Sequence, residues 1–450
     1  MYSILTTLGL LNWIKYKTHA ESKNPVIFVP GLYGSMSDEI IQGTGEWGFG
    51  MSAAFYEPFI DSLKKMGYTQ DQDLFIAFYD WRKDCMFCGQ HYLKKKINEV
   101  KRITKSKKVD LICHSMGGLV ARTYAQSRYY EYDVENLIMI ATPNSGATDA
   151  YYFWAGGKLP YEKNIKSNIF RTLFEGYLWI LEKLYGVEND MEMIHRYLRG
   201  ARDLLPSCQY GDYLYHIDRN RRKNYIPYYQ MEYQNQVLDH LNEKQHLLRR
   251  RRIKVTLIAG KENETNHQLQ VDPRYKYKDG RWKEGKVVSV SKSLEGDGTV
   301  MLKSVFAIEG DSYVFHVNHT EILQKCGFVI RKKLGIEEES LHRSRAGLLV
   351  NYTSILVNGA GDIAVKSRTE KGIMTLYDTM EKKEGVFIQE YSGTLKWILL
   401  TNLPNELLYI EYIPRDSGQV EIMVTDHLGR NRKVKEKQVA KNQIYRVAIS

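Results

Sequence analysis

The chain has 450 residues, 43% of them apolar and 26% charged, which describes a globular protein with a sizeable core and exceeds one small domain. The 64 basic against 53 acidic side chains leave a net charge of +11, and that balance favours an anionic partner. No nucleic-acid motif is present, so an acidic membrane surface is the expected partner, with a basic surface serving solubility alone as the equal alternative.

The segment 1–14 is apolar, with no basic residue ahead of it and with Lys15 and Lys17 behind it. It is shorter than the ~20 residues of a membrane span and reads as part of a lead-in, 1–24; a degenerate signal ending near Ala20 stays open. Five cysteines are an odd number, too sparse for a disulfide scaffold, and indicate a reducing compartment. A cytoplasmic location, with peripheral membrane attachment, is therefore expected, and secretion stays open. Tyrosine is frequent, at 33 residues; its ring buries while its hydroxyl stays wet, which suits interfaces and lids over apolar substrates.

Short apolar strands are predicted at 26–29, 74–79, 109–112 and 137–141, with helices at 54–66, 92–104 and from 118 onward between them. That alternation predicts a parallel sheet covered on both faces, with its first part at 25–150. From 151 to 252 no strand is evident. A helix at 168–185 has a very wide apolar face, a second starts at Asn189, and the region ends in Arg249-Arg250-Arg251-Arg252. This reads as a helical cap inserted into the sheet. The sheet resumes in 253–340, with strands at 254–259 and 313–317 and a helix at 320–334. Beyond, alternating segments at 386–391, 395–400, 407–413 and 420–424 predict an antiparallel, sandwich-like β domain over 341–450. It reads either as a membrane or carbohydrate attachment module or as a stabiliser of the core.

Chemistry concentrates at Cys113-His114-Ser115-Met116-Gly117. An apolar run precedes it and a helical pattern follows, and a serine between small residues at a strand–helix turn is a nucleophile elbow. Cys113 stands where the usual pattern has glycine. Without partners such a serine would read as a helix cap, so partners decide the matter. The best acid is Asp297, in Gly296-Asp297-Gly298-Thr299-Val300, where flanking glycines permit a tight loop. The best base is His319, just after the last predicted strand; His316 lies within that strand and Asp311 reads as a turn residue, so both rank below. In the turn Pro30-Gly31-Leu32-Tyr33-Gly34-Ser35, the backbone N–H of Leu32 joins that of Met116 as an expected oxyanion hole.

These segments, with Tyr79-Asp80-Trp81-Arg82 and Thr142-Pro143-Asn144-Ser145-Gly146, occur in collinear order over 25–335. Together they resemble the lecithin:cholesterol acyltransferase-like branch of the α/β-hydrolase lipases. The resemblance implies an α/β-hydrolase fold with a mostly parallel sheet, an inserted helical cap and the C-terminal antiparallel β domain outside it. It also implies hydrolysis or transfer of acyl chains from glycerophospholipids and related esters, with Ser115, Asp297 and His319 as the triad. The expected substrate is a lipid or other acyl ester and no cofactor is expected. The alternatives are an O-acyltransferase using the same triad and, less favoured, a non-catalytic lipid- or surface-binding protein. Phe170, Phe174, Trp179 and Tyr185 invite contact with acyl chains, although core packing explains each singly. Cys85, Cys88 and His91 have a zinc-like spacing but no fourth ligand, so two free or redox-labile thiols are preferred. The sequence does not reveal the oligomeric state.

Overall fold

The computed structural model describes residues 23–37, 46–157, 169–186, 190–275, 281–336, 351–369, 372–378, 385–401, 407–428 and 430–449. Nearly all of the lead-in, Asn189 and the boundary near 340 lie outside the described residues. Strand β1 (Val26–Val29) consists of four buried apolar residues. Helix α1 (Ala53–Lys65), β2 (Leu74–Ile76), α2 (Lys94–Thr104), β3 (Val109–His114), α3 (Met116–Ala125) and β4 (Val134–Ile140) follow. All of β3 is buried, as a strand covered on both faces must be.

β1 pairs in parallel with β2 on one side and with β3 on the other. The chain thus leaves β1 in one direction and returns to its opposite edge. The loops after β1 and β3 part company at the carboxyl ends of neighbouring strands, the switch point at which open α/β sheets form their crevices.

The insertion contains α4 (Asp149–Gly156), α5 (Ile169–Tyr185) and α6 (Asp190–Tyr197). It is not free of strands. β5 (Leu214–Ile217) and β6 (Lys223–Tyr225) form a hairpin, whose turn is held by Asp218 Oδ1 accepting the N–H groups of Asn220 and Arg222 (both 2.8 Å). Strands of four and three residues are too short to carry a readable alternation. Then come β7 (Lys254–Gly260), β8 (Thr265–Asp272), β9 (Lys286–Ser293), β10 (Asp311–Phe315) and α7 (Gly327–Leu334).

The parallel sheet has six strands in the order β10-β7-β4-β3-β1-β2. β8 and β9 depart from the expectation of a sheet resuming only near 254 and 313. They join the hairpin in a second sheet, β6-β5-β8-β9. Polar residues such as Gln268, Gln270, Ser289 and Ser291 alternate along them, because one face stays partly open to water.

The C-terminal region is antiparallel β throughout: β11 (Tyr352–Asn358), β12 (Gly361–Thr369), β13 (Gly372–Tyr377), β14 (Val386–Tyr391), β15 (Leu395–Thr401), β16 (Leu407–Pro414), β17 (Gly418–Asp426), β18 (Asn431–Val439) and β19 (Tyr445–Ala448). Its sheets run β14-β15-β11-β17-β18 and β13-β12-β16-β19. Ile355, Val357, Ile398, Leu400 and Ile422 meet Ile363, Val365 and Ile410 in a core of their own. The alternate residues Leu356, Trp397 and Leu399 belong to the same core as the parallel sheet. The period of two along a strand therefore feeds two cores, and the β domain is packed onto the parallel-sheet region rather than tethered to it.

Candidate active site

β3 ends at His114 and α3 begins at Met116, so Ser115 alone makes the turn, at φ 53° and ψ −126°. Positive φ in a non-glycine residue is strained, and two close approaches accommodate it. A Cβ on Gly117 would lie 2.3 Å from the Val29 carbonyl oxygen and 2.5 Å from that of Pro30; one on Gly31 would lie 2.9 Å from Ser115 Cβ. Cys113 is different. It is fully buried within β3, paired with Val29 and Met139, and nothing there demands glycine.

His319 arrives from beyond β10. Its Nε2 lies 3.0 Å from Ser115 Oγ and its Nδ1 lies 2.7 Å from Asp297 Oδ2. The other carboxylate oxygen of Asp297 accepts the N–H groups of Thr299 (2.9 Å) and Val300 (2.7 Å), in a loop that needs Gly298 at φ 91°. The His319 N–H also donates to the Asp297 carbonyl (3.0 Å). All three side chains are buried, Ser115 at 7% exposure. The competitors lie elsewhere. His316 is exposed beside Glu262 (2.7 Å); Asp311 starts β10, at the amino end of the sheet, and pairs with Lys333.

Met116 opens α3, so its N–H is among the helix's first, which have no acceptor within the helix. Leu32 sits between Gly31 and Tyr33, which has φ 62°, in a turn closed by the Gly34 N–H on the Gly31 carbonyl (3.0 Å). Gly31 touches Ser115, so this turn borders the elbow. Tyr79-Asp80-Trp81-Arg82 braces it from the far side. Tyr79 OH donates to the Pro30 carbonyl (2.9 Å) and Trp81 Nε1 to the Ser35 carbonyl (2.9 Å). Arg82 is held by Asp80 (2.5 Å).

An aromatic wall rises over the turn. The Tyr33 ring lies 4.6 Å from Trp81 and 6.1 Å from both Phe174 and Tyr177, centroid to centroid; Phe153 lies 4.3 Å from Phe174. Of the cap aromatics singled out from sequence, Phe174 joins this wall. Trp179 is buried, Tyr185 is largely exposed beside Tyr197 at the far end of α5, and the Phe170 side chain is outside the described residues. In the arginine run, Arg251 donates to the Ala125 carbonyl and lies over Tyr130, while Arg249 is exposed near Glu309.

Cys88 Sγ faces the Asp80 carbonyl (3.2 Å), and His91 Nδ1 bonds to the Phe87 carbonyl oxygen (3.1 Å). Among the described residues no three His, Cys, Asp or Glu side chains are grouped to hold a metal ion. Burial pushes the Cys85 and Cys88 thiols well above their ordinary range, which makes them inert packing thiols rather than labile ones. Sequence reasoning missed Tyr33, Phe153 and Tyr177 in the wall, and Tyr56 and His114 beneath the turn. The frequency of tyrosine was the signal for Tyr33 and Tyr56, and the wide apolar face of 168–185 that for Tyr177; nothing local marked a role for Phe153 or His114.

The parallel sheet, the serine turn after β3 and the helical insertion give the chain an α/β-hydrolase fold, to which the C-terminal antiparallel domain is added. Residues 48–174 match the model of the lecithin:cholesterol acyltransferase family, and over that span the chain is similar to it. No curated protein matches it in sequence. Among solved structures, it is similar to the mature form of a Bacillus licheniformis lipase, at 16% identity and a TM-score of 0.38, covering 70% of this chain and 94% of that one. The propeptide form of that lipase is 13% identical with a TM-score of 0.38, covering 95% and 96%. A carboxylesterase from Bacillus subtilis is 10% identical with a TM-score of 0.28, covering 70% and 84%. No helix among the described residues is long and apolar enough to cross a membrane.

Proposed function

We propose that the protein is a serine esterase of lipid acyl esters, working through an acyl-enzyme. The observation that carries this reading is the continuous run Ser115 Oγ to His319 Nε2 (3.0 Å) and His319 Nδ1 to Asp297 Oδ2 (2.7 Å). His319 takes the Ser115 proton as Oγ bonds to the acyl carbon. Asp297 holds the imidazole in the tautomer with Nδ1–H and stabilises its cationic form. The N–H groups of Leu32 and Met116 receive the oxyanion, a contribution of about 3–4 kcal/mol per donor at the transition state. His319 returns the proton to the leaving alkoxide, and water, activated by the same imidazole, releases the acid. The wall of Tyr33, Trp81, Phe174 and Tyr177 supports an apolar acyl chain as ligand. The net charge of +11 supports work at an anionic lipid surface.

Ser115→Ala is expected to abolish hydrolysis of a p-nitrophenyl acyl ester while leaving the melting temperature in place; retained activity would overturn the reading. Supplying an acceptor alcohol and measuring ester against free acid separates hydrolase from acyltransferase. Failure of a fluorophosphonate to label Ser115, with liposomes still bound, would favour a non-catalytic lipid-binding protein.

A further inference from the structure

Beneath the serine turn, two wholly buried side chains link the two halves of the site. The Gly31 N–H donates to Tyr56 OH (2.8 Å). Tyr56 OH lies 2.9 Å from His114 Nδ1, and His114 Nε2 lies 2.9 Å from the backbone carbonyl of His319. A carbonyl only accepts, so Nε2 carries a proton. Burial, with His319 adding to it, draws His114 well below the ordinary histidine range, so the ring is neutral and Nδ1 is bare. Nδ1 must then accept from Tyr56 OH, whose own lone pair accepts from Gly31. Every donor in the run points the same way, and no member carries charge.

The ring of Tyr56 has little freedom. It stacks on Phe49 (5.1 Å) and meets Phe28 edge-on (5.4 Å). A Cβ on Gly34 would stand 2.8 Å from it, so the turn lies directly on the ring. His114 is likewise fixed, as the last residue of β3 and the immediate neighbour of Ser115.

We propose that Tyr56 and His114 are positioning residues: through Gly31 and the His319 carbonyl they hold the oxyanion turn at a fixed distance from the base. This rests on the roles given above to Ser115, Leu32 and His319. Neither side chain touches substrate. Their effect is to keep the Leu32 N–H and His319 Nε2 in register on one tetrahedral centre while Ser115 is acylated and deacylated. A uniformly oriented, uncharged run suits this task, because it stays intact when His319 gains and loses its proton.

The test uses the full chain and a soluble acyl ester, with kcat, KM and melting temperature read for Tyr56→Phe, His114→Gln and the double variant. Gln keeps an amide N–H for the His319 carbonyl and loses the acceptor for Tyr56. Each single variant is expected to lose about 10- to 100-fold in kcat, as small misplacements of reacting groups do, with KM within about twofold. The double variant is expected to fall no further than the worse single, because both break one run. A folded Tyr56→Phe with unchanged kcat, or a double loss equal to the product of the singles, overturns the proposal. If Tyr56→Phe does not fold, His114→Asn decides beside His114→Gln. Asn faces Tyr56 and loses the base, so full kcat in either variant overturns it. Ser115→Ala run in parallel keeps the outcomes apart. Activity in Ser115→Ala removes the esterase reading itself, whereas a dead Ser115→Ala beside fully active relay variants removes only the positioning role.

Discussion

The indole of Trp397 packs against the backbone of Gly176, so close that a Cβ on that glycine would stand 2.5 Å from the ring. Trp397 comes from β15, Gly176 from α5. The contact is reinforced on both sides, by Thr172 Oγ1 and Tyr352 OH (3.3 Å) and by Lys183 and Glu421 (2.9 Å). The indole itself is anchored by Nε1–H donating to Ser354 Oγ (2.9 Å). The opposite side of α5 carries Phe174 and Tyr177 to the Tyr33 ring. The β domain thus packs α5 toward the turn at 31–34.

Trp397→Ala should therefore act on both stability and substrate. Removing a fully buried tryptophan costs about 3–5 kcal/mol, visible as an earlier thermal transition. With α5 loosened, KM for a long-chain ester is expected to rise several-fold while KM for an acetate ester stays put. An unshifted transition would show that the contact supports nothing.

The serine turn makes a contrasting pair of predictions. Gly117→Ala forces a methyl into the carbonyls of Val29 and Pro30, both backbone atoms of the sheet that cannot yield cheaply. A cost of about 3 kcal/mol and collapse of esterase activity are expected. Cys113→Gly would restore the usual spacing of the motif, yet it removes a buried thiol and frees a strand residue. It should be less stable by about 1–2 kcal/mol with kcat retained. Denaturant melts and initial rates on the two variants check both statements.

What was readable in the sequence follows from where the information lies. Ser115 follows the fully buried β3, Asp297 lies in a glycine-flanked loop after β9 and His319 in the turn after β10, and both the glycines and the apolar runs are local signals. β8 and β9 were not readable, because a sheet with one partly wet face alternates weakly with polar residues. The Tyr56–His114 contact spans 58 residues and that between His114 and His319 spans 205. Tyr56 reads only as one aromatic on an amphipathic helix, and its hydroxyl acquires meaning only when the parallel sheet brings β1 and β3 side by side. The Trp397–Gly176 contact is invisible for the same reason.

His114 also sets the sign of one pH dependence. Its folded-state value is depressed below the ordinary 6.5, so below pH 6.5 the unfolded chain binds a proton that the native chain refuses. Its contribution to stability is full above pH 6.5 and is lost as pH falls toward the folded-state value. Asp203, raised to about 6 by burial, works oppositely: its contribution is full below the ordinary 3.8 and is lost as pH rises through about 6. The two are separated by substitution. His114→Gln should flatten the acid-side fall of melting temperature relative to the parent chain between pH 6.5 and 4.5, leaving the Asp203 component in both. Parallel profiles for the two chains would show that His114 is not held neutral.

Asp297→Asn isolates what the carboxylate does beyond holding a loop. The amide oxygen can still accept the N–H groups of Thr299 and Val300, so the loop and Gly298 are expected to keep their places and the melting temperature to shift little. Toward His319, however, the amide presents either an N–H, which drives the imidazole into the wrong tautomer, or an oxygen without the charge that steadies the imidazolium. In serine hydrolases with this arrangement the substitution lowers kcat by about 10⁴-fold, and a loss of that order with KM near that of the parent chain is expected here. Fluorophosphonate labelling of Ser115 should slow in parallel, because phosphonylation of Ser115 Oγ, with loss of fluoride, draws on the same proton transfer. A loss of less than about tenfold in both measurements would mean that His319 takes the Ser115 proton unaided.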